Sequence, residues 1–376
     1  MQRFKKVVAI GVILLIVAAV FQLGIPASAE LAAGDRYHII LKDGLYGYID
    51  SGGKVVVRPQ FAFVRNFSEE LAVAKPVGSE MYGYIDKTGN FVIPPQFKQA
   101  YDFSEGLAAV DRGYIDKQGS VVISRPGDPF HNGRARQHGK PASIIDKTGK
   151  VILDTQYDEV WETKSELIAF IQDGKMGFMT WDKKVVIQPR YQETRYRPED
   201  LFGESITPVN IRLANKSKWG FIDKSGNTAI EFEYDWAEQF QEGLAVVGKG
   251  KLYGYMGSDG RLAIPLRFEN AGNFNEGLAA VQVDGLWGFI DKEGNMVIKP
   301  EYLGLMWGSP LEFHEGLAAV RTPNGTGFIN KAGEMVIAPV YRTAEHFSDG
   351  IAEVYFPNGL KGYVSQAGEY VWEPSR

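Results

Sequence analysis

The sequence predicts an all-β protein built from about ten antiparallel hairpin or meander repeats of about 34 residues each. One observation is recurrence: an aromatic–glycine pair, an aromatic residue, Ile-Asp, a glycine turn and a Val-Ile segment return along the chain from Tyr46 onward. A second is composition, because 43 glycines and 12% aromatic residues suit a turn-dense β protein. A third is that no sustained helical periodicity follows residue 30.

The first element of each repeat is a predicted hairpin, with the turn sequence D-K-x-G between its strands. Aspartate can accept backbone N–H groups at the turn, and glycine supplies the positive φ that closes a short hairpin. The returning strand reaches a proline in six repeats, where we expect it to stop or to lie at a sheet edge. The anchors that keep both aromatic and glycine are Tyr46-Gly47, Tyr82-Gly83, Trp219-Gly220, Tyr253-Gly254 and Trp287-Gly288.

The second element is the segment F-x-E-G-L-A-A-V, as at Phe274–Val281 and Phe313–Val320. Its short, apolar L-A-A-V part follows a glycine and predicts a strand buried on both faces. Small alanines there let neighbouring repeats approach closely. We therefore expect three short strands per repeat.

Two architectures fit such repeats: an open, solenoid-like array and a closed, propeller-like ring. Propeller blades usually have four strands and about 40–45 residues, and rings usually hold four to eight blades. Because this repeat is shorter and more numerous, we predict the open array and keep the closed ring as the alternative.

The first 29 residues differ from the rest and predict a secretory signal peptide. Arg3, Lys5 and Lys6 precede the apolar stretch Val7–Leu23, and a small-residue cleavage pattern ends at Ala29. We expect a secreted or cell-surface protein with a repeat array over 30–376, degenerate around 111–218, and no stable membrane span after cleavage. An uncleaved N-terminal anchor is the alternative.

The pattern W/Y-G-Y/F-I-D-K-x-G, followed by F-x-E-G-L-A-A-V, resembles the bacterial WG (or KWG) repeat family. Trp219–Gly226 and Trp287–Gly294 match it best, and the resemblance covers nearly all of residues 30–376. Around Ala142–Lys150 the aromatic–glycine pair is lost, and Asp182-Lys183-Lys184 lacks the turn glycine. The resemblance implies a β-rich repeat common in exported or surface proteins, and no particular activity.

Recurring residues are interpreted as structural first. The repeated aspartates, each alone in its turn, are expected to cap turns and not to bind calcium. The repeated glutamates (Glu69, Glu105, Glu242, Glu276, Glu315, with Asp349) occupy identical positions and do not form the one special pair of glycoside hydrolysis. The anchor aromatics, Trp219 and Trp287 among them, are expected in the core, with a ladder of stacking platforms as the alternative.

Irregular stretches give the ligand-binding candidates. Ser124–Ser143 is loop-like and basic in an acidic chain of net charge −5, and arginine with tyrosine suits anionic polymers or carboxylates. His131 and His138 lack a third zinc ligand nearby. The candidates are Arg125, Arg134, Arg136, Lys140, Arg190, Tyr191, Arg195, Tyr196 and Arg197.

Function follows from what these motifs include and exclude. No catalytic motif, phosphate loop or dinucleotide fingerprint occurs, the chain has no cysteine, and its acidity argues against nucleic-acid binding. We expect a non-catalytic exported scaffold that binds a protein or a cell-wall or anionic polymer at the envelope, without metal or cofactor. A carbohydrate-active enzyme and a purely structural spacer are the alternatives.

Overall fold

The computed structural model describes residues 36–192, 200–213, 216–305 and 311–375. Within those ranges the chain forms 35 β-strands, paired antiparallel in nine sheets. No helix of the described residues is long and apolar enough to cross a membrane. The predicted signal peptide, residues 1–29, lies outside the described residues.

The repeats follow one another around the sheets. Repeats 1 and 2 share one six-stranded sheet, because β3 belongs to both. Its strands are β1 (Tyr37–Lys42), β2 (Leu45–Asp50), β3 (Val55–Val64), β4 (Ala72–Pro76), β5 (Tyr82–Ile85) and β6 (Phe91–Phe97). Repeat 3 contains β7 (Ala108–Val110), β8 (Gly113–Ile115) and β9 (Val121–Ile123), and repeat 4 contains β10 (Arg134–Gln137), β11 (Ser143–Asp146) and β12 (Val151–Asp154). Repeat 5 contains β13 (Glu159–Glu162), β14 (Ile168–Gln172), β15 (Lys175–Met179) and β16 (Val185–Gln192).

Repeat 6 has three strands and repeats 7 to 10 have four each. Repeat 6 contains β17 (Ile206–Leu213), β18 (Lys216–Asp223) and β19 (Thr228–Tyr234), and repeat 7 contains β20 (Trp236–Ala237), β21 (Leu244–Lys249), β22 (Leu252–Gly257) and β23 (Leu262–Phe268). Repeat 8 contains β24 (Asn270–Ala271), β25 (Ala279–Val283), β26 (Leu286–Ile290) and β27 (Met296–Tyr302). Repeat 9 contains β28 (Phe313–His314), β29 (Leu317–Thr322), β30 (Gly325–Asn330) and β31 (Met335–Tyr341), and repeat 10 contains β32 (Thr343–Ala344), β33 (Ile351–Tyr355), β34 (Lys361–Ser365) and β35 (Tyr370–Ser375).

The anchor glycine and the proline of the returning strand are parts of one β-bulge. In repeat 8, Trp287 pairs with Tyr302 and Phe289 with Ile298, so the outer strand carries extra residues around Pro300. A Cβ on Gly288 would lie 2.4 Å from the Ile298 carbonyl oxygen and 2.7 Å from the nitrogen of Pro300. Of the two expectations for the proline, the edge position holds, because β27 is an edge strand of its sheet. Pro300 does not end the strand, since β27 continues through the bulge, which accommodates a residue without an N–H donor.

The D-K-x-G turns have the predicted chemistry. Oδ1 of Asp86 accepts the backbone N–H groups of Thr88 at 2.9 Å and Asn90 at 3.1 Å, and Gly89 has a φ of 84°. The same Oδ1 contacts recur at Asp50, Asp116, Asp146 and Asp223. The aspartate therefore fixes the turn. Burial tends to raise the pKa of the Asp86 carboxyl group, but its hydrogen bonds with Thr88 and with backbone N–H groups lower it overall.

The hydrophobic core is divided among the boundaries between consecutive repeats. The L-A-A-V strand serves two boundaries: Ala279 and Val281 pack against repeat 7, whereas Ala280 packs against repeat 9. This strand is buried on both faces, as predicted. Each repeat is thus stabilised chiefly by its two neighbours, as expected for stacked repeats.

The last repeat contacts the first and closes the ring. Tyr363 donates from its hydroxyl to the Ile39 carbonyl at 2.9 Å, and Ser375 donates to the Leu41 carbonyl at 2.6 Å. Between other repeats, the turn glycine packs on the Val-Ile segment of the repeat before it, as Gly333 of repeat 9 packs on Ile298 of repeat 8. Between repeats 10 and 1, Gly53 packs in the same way on Val371. We call this set of contacts between repeats 10 and 1 the seam.

The predicted open array is therefore wrong, and the alternative is correct: the protein is a β-propeller of nine sheets. Three strands per repeat was also an underestimate, because repeats 7 to 10 each add a two-residue edge strand, such as β20 or β24. That short strand adds a fourth member to the sheet with few extra residues, so a repeat of this length still forms a blade.

Candidate functional site

The F-x-E-G turns connect neighbouring repeats through their glutamates. The Glu276 carboxylate accepts the N–H of Gly316 in the next repeat at 3.0 Å. The glutamate itself has a positive φ of 52°, which turns its side chain out of its own hairpin. The equivalent contacts join Glu69 to Gly106, Glu105 to Gly133, Glu242 to Gly277 and Glu315 to Gly350.

A lysine from the D-K-x-G turn of the next repeat completes several of these contacts. Lys331 lies 3.1 Å from the Glu276 carboxylate, and Lys292 lies 3.1 Å from that of Glu242. Burial tends to raise the pKa of Glu276, but the hydrogen bonds from Lys331 and Gly316 lower it overall. The repeated glutamates thus hold the ring together, and no group of three or more His, Asp or Glu among the described residues could hold a metal ion.

The anchor aromatics are core residues or partly so. Trp219 and Trp287 are 6% and 5% exposed, and Trp287 packs against Phe313, Ala318 and Val320 of the next repeat. Tyr46, Tyr82 and Tyr253 are half-buried beside their glycines Gly47, Gly83 and Gly254. Their arrangement therefore matches the structural interpretation of the anchors, not an exposed ladder of platforms.

The basic stretch of repeat 4, predicted as a loop, contains one strand of the propeller, β10 (Arg134–Gln137). Phe130–Gln137 is a variant of F-x-E-G-L-A-A-V in which Arg134 and Arg136 replace the leucine and the second alanine. Both arginines reach repeat 5: Arg134 stacks 4.5 Å over Trp181 and pairs with Glu162 at 2.9 Å, and Arg136 lies 5.1 Å over Trp161.

Carboxylates surround the remaining charges of this stretch. Arg136 pairs with Asp128 at 2.7 Å and also with Glu159, while His138 lies 2.8 Å from Asp128. Burial tends to raise the pKa of Asp128, but its hydrogen bonds with Arg136 and His138 lower it overall. Exposed Lys140 pairs with Asp158 at 2.8 Å, and Arg125 is exposed next to Gly139. Three of the four cations predicted to bind a ligand in this stretch thus bind acidic groups of the protein itself.

The second predicted group is likewise structural where it is described. Tyr191 is fully buried, and Arg190 donates to its hydroxyl at 2.7 Å and to the Gly226 carbonyl of the next repeat at 3.0 Å. Arg267 makes the same contact with the carbonyl of Gly294. Arg195, Tyr196 and Arg197 lie outside the described residues.

A polar cleft lies where the F-x-E-G turns of repeats 7, 8 and 9 meet, and its volume is about 460 Å³. We call it the turn cleft; it is lined by Gln241, Glu242, Asn273, Phe274, Asn275 and Glu312. Beside it, Nε2 of His314 lies 3.3 Å from Nδ2 of Asn275 and 3.4 Å from a carboxylate oxygen of Glu312. The His314 ring stacks on His346 at 4.2 Å.

Sequence reasoning missed the turn cleft, although a signal was present. The two positions that flank the phenylalanine of F-x-E-G are polar and vary between repeats, whereas the phenylalanine and the glutamate recur. They carry Gln239 and Gln241 in repeat 7, Asn273 and Asn275 in repeat 8, and Glu312 and His314 in repeat 9. Variation at fixed positions of a regular repeat marks the residues that are free to serve a ligand.

The fold and the site being defined, comparison with known proteins gives the family. The WG containing repeat matches residues 46–75, 82–111, 143–175, 219–253, 253–287, 287–302 and 327–356, more than half of the chain. This protein belongs to the WG-repeat family. The resemblance inferred from the repeat motif is thus confirmed, including one match, 143–175, that begins within the irregular fourth repeat and continues into the fifth. No curated protein sequence matches the chain significantly.

One solved structure supports the same fold for this WG-repeat protein. A crystal structure of the eukaryotic initiation factor has a TM-score of 0.51 at 12% identity and covers 91% of this chain and 97% of its own. BamB from Moraxella catarrhalis has a TM-score of 0.36 at 9% identity, covering 70% of this chain and 92% of its own. At 12% identity the first similarity shows the fold alone, and its extent over nearly all of both chains agrees with the closed ring.

Proposed function

We propose that this WG-repeat protein is an exported, non-catalytic scaffold that binds a protein or a cell-envelope polymer. The observation that carries the proposal is a division of roles among the F-x-E-G turns. Their glutamates hold neighbouring repeats together, whereas the polar residues on either side of the phenylalanine line the turn cleft. The recurring glutamate is thus structural, and variable residues beside the phenylalanine face a volume that suits a ligand.

A non-catalytic role is supported by the state of the acidic residues. Glycoside hydrolysis needs two carboxyl groups with distinct environments on either side of one bond. Of the two glutamates that line the turn cleft, Glu242 accepts the N–H of Gly277 and pairs with Lys292. Such a carboxylate is engaged by groups of the protein itself and is poorly placed to act on a substrate.

Export is supported by the N-terminal sequence. The basic start, the apolar stretch Val7–Leu23 and the small residues before Glu30 match a cleavable signal. Expression of the full chain in a bacterium with a secretory pathway should give an extracytoplasmic protein whose intact mass lacks residues 1–29. A protein that keeps its N-terminus and stays in the membrane fraction would instead support the uncleaved anchor.

Binding is tested by co-sedimentation of the chain 30–376 with purified insoluble peptidoglycan sacculi, and in parallel by retention on immobilised envelope proteins. We expect saturable binding to one of these materials and no release of new reducing ends from the sacculi. The absence of binding to both materials would overturn the scaffold proposal. Release of sugars that is lost on changing a single carboxylate would show an enzyme.

A further inference from the structure

The turn cleft carries information about the class of its ligand. Three consecutive repeats build it, and each contributes the residue that precedes its phenylalanine or the one that follows it. Amides supply three of the six lining residues, and Phe274 is only 2% exposed, so polar side chains dominate the accessible surface. Such a lining selects a ligand by hydrogen bonds and not by an apolar surface.

One amide group that lines the cleft has a buried atom without a protein hydrogen-bond partner, namely Oδ1 of Asn273. Nε2 of Gln239, at the equivalent position of repeat 7, also has no such partner, but this side chain does not line the cleft. Buried polar atoms in folded proteins are nearly always paired. Because the oxygen and nitrogen of an amide can be exchanged by a flip, each side chain can present either a donor or an acceptor.

The charges of the cleft exclude an anionic ligand. Glu242 is already compensated by Lys292 at 3.1 Å. The Glu312 carboxylate contacts the His314 ring at 3.4 Å, and its side chain is 35% exposed. A phosphate or uronate placed in the cleft would approach the Glu312 carboxylate, and no arginine or lysine lines the cleft to bind it. Hydroxyl groups, which both donate and accept, match the amides and the carboxylate at once.

We infer that the turn cleft binds a neutral, polyhydroxylated ligand, namely an uncharged sugar unit of an envelope glycan. This inference rests on the proposed scaffold function and narrows it, because anionic polymers were among the partners expected from the sequence. Asn273 and Asn275 bind the sugar hydroxyls, and Glu312, oriented by His314, accepts a hydrogen bond from a further hydroxyl group. The basic stretch of repeat 4 takes no part, since its arginines pair with Asp128, Glu159 and Glu162.

The test is titration of the chain 30–376 with four trisaccharide probes by isothermal calorimetry and ligand-observed NMR. Three probes are neutral, built from N-acetylglucosamine, glucose or galactose, and the fourth is the galacturonic acid trimer. We expect at least one neutral trimer to bind saturably and the uronic acid trimer to bind more weakly. Failure of all neutral trimers, or a preference for the anionic one, would overturn the inference.

Variants locate the binding. Asn273→Leu removes the amide at nearly constant size and should weaken binding of the neutral trimer by about tenfold or more. The control is Asn66→Leu, at the equivalent but exposed position of repeat 2, which should leave the affinity unchanged. If Asn273→Leu unfolds, Asn275→Ala replaces it. Equal effects of the cleft variant and the control would also overturn the inference.

The two proposals fail in different ways. If the chain sediments with sacculi and Asn273→Leu sediments equally well, the scaffold function stands and the assignment of the turn cleft is wrong. If neither sacculi nor envelope proteins are bound, the scaffold function itself falls. A competition experiment tests both proposals together. The neutral trimer that binds should release the chain from sacculi at concentrations near the dissociation constant of that trimer.

Discussion

Different side chains fill the boundary between repeats 8 and 9 and the boundary between repeats 4 and 5. At the first, Trp287 fills the space between the sheets together with Phe289 and Phe313. At the second, Ala142 stands at the position of Trp287, and the arginines of β10 reach across to Trp161 and Trp181. The first boundary is thus filled by one tryptophan from its earlier repeat, and the second by two tryptophans from its later repeat.

The difference extends to the turns of both repeats. Between repeats 8 and 9, Glu276 pairs with Lys331. In repeats 4 and 5, Asn132 stands at the glutamate position and Trp181 at the lysine position, and Arg134 stacks on that tryptophan. Lys183 takes the place of the turn glycine and pairs with Asp154. The comparison shows that a boundary can pack without the repeat motif when the facing residues of both repeats change together. A degenerate repeat therefore need not be a ligand site.

The largest expected effect is the loss of the regular aromatic. Trp287→Ala should lower the free energy of unfolding by about 3–5 kcal/mol, because a buried tryptophan leaves a cavity in a close-packed boundary. Chemical unfolding followed by circular dichroism measures the change. Trp236→Ala, at a side chain that is 36% exposed, is the control and should cost far less. Equal losses for both variants would contradict the assigned packing.

The next largest effect concerns the anchor glycine beside the β-bulge, which repeat 8 has and repeat 4 lacks. Gly288→Ser places a Cβ against the Pro300 bulge and should cost about 1–3 kcal/mol. Repeat 4 already carries Ser143 at that position, and β12 ends at Asp154, before the bulge residue Thr155. Ser143→Gly should therefore cost less than about 1 kcal/mol, chiefly through backbone entropy. A reversed order in thermal unfolding would show that the bulge does not require the glycine.

A third effect tests the charged boundary. Arg136→Met keeps much of the apolar stem but leaves Asp128 and Glu159 without the guanidinium group, and should cost about 1–3 kcal/mol. The loss should shrink at high salt, which screens the remaining carboxylates. Arg125→Met, at an exposed position of the same repeat, is the matched control, with a change within about 0.5 kcal/mol. Equal unfolding midpoints for both variants would remove the structural role of Arg136.

The smallest effect concerns pH. The hydrogen bonds of Arg136 and His138 lower the pKa of Asp128 in the folded protein, so this carboxylate adds stability above its unfolded pKa of about 3.9. That contribution is lost as the pH falls through the lowered folded pKa. The gap in unfolding free energy between the wild type and Asp128→Asn should therefore narrow from about pH 5 to about pH 2. A constant gap would contradict the assigned pKa direction.

The sequence predicted the local structure well and the closure poorly. The hairpins, the aspartate turns and the burial of Trp219 and Trp287 follow from short-range patterns that recur in most of the repeats. The ring depends on the meeting of repeats 1 and 10, and Ser375 and Leu41 carry no motif that announces their contact. The turn cleft was missed for a related reason: Asn273 and Glu312 come together only when neighbouring repeats stack.

The measurement that tests the closed ring most directly uses the absence of cysteine from the chain. Arg36 and Asp349 form an ion pair across the seam, and both are replaced by cysteine in the chain 30–376. A short bismaleimide reagent should then join them within one molecule, whereas the pair Arg36→Cys and Glu242→Cys should not react in this way. In an open array with sheets about 10 Å apart, the ends would be roughly 90 Å from each other. Intramolecular crosslinking of the seam pair alone is the predicted result, and its failure in the folded monomer would contradict the ring.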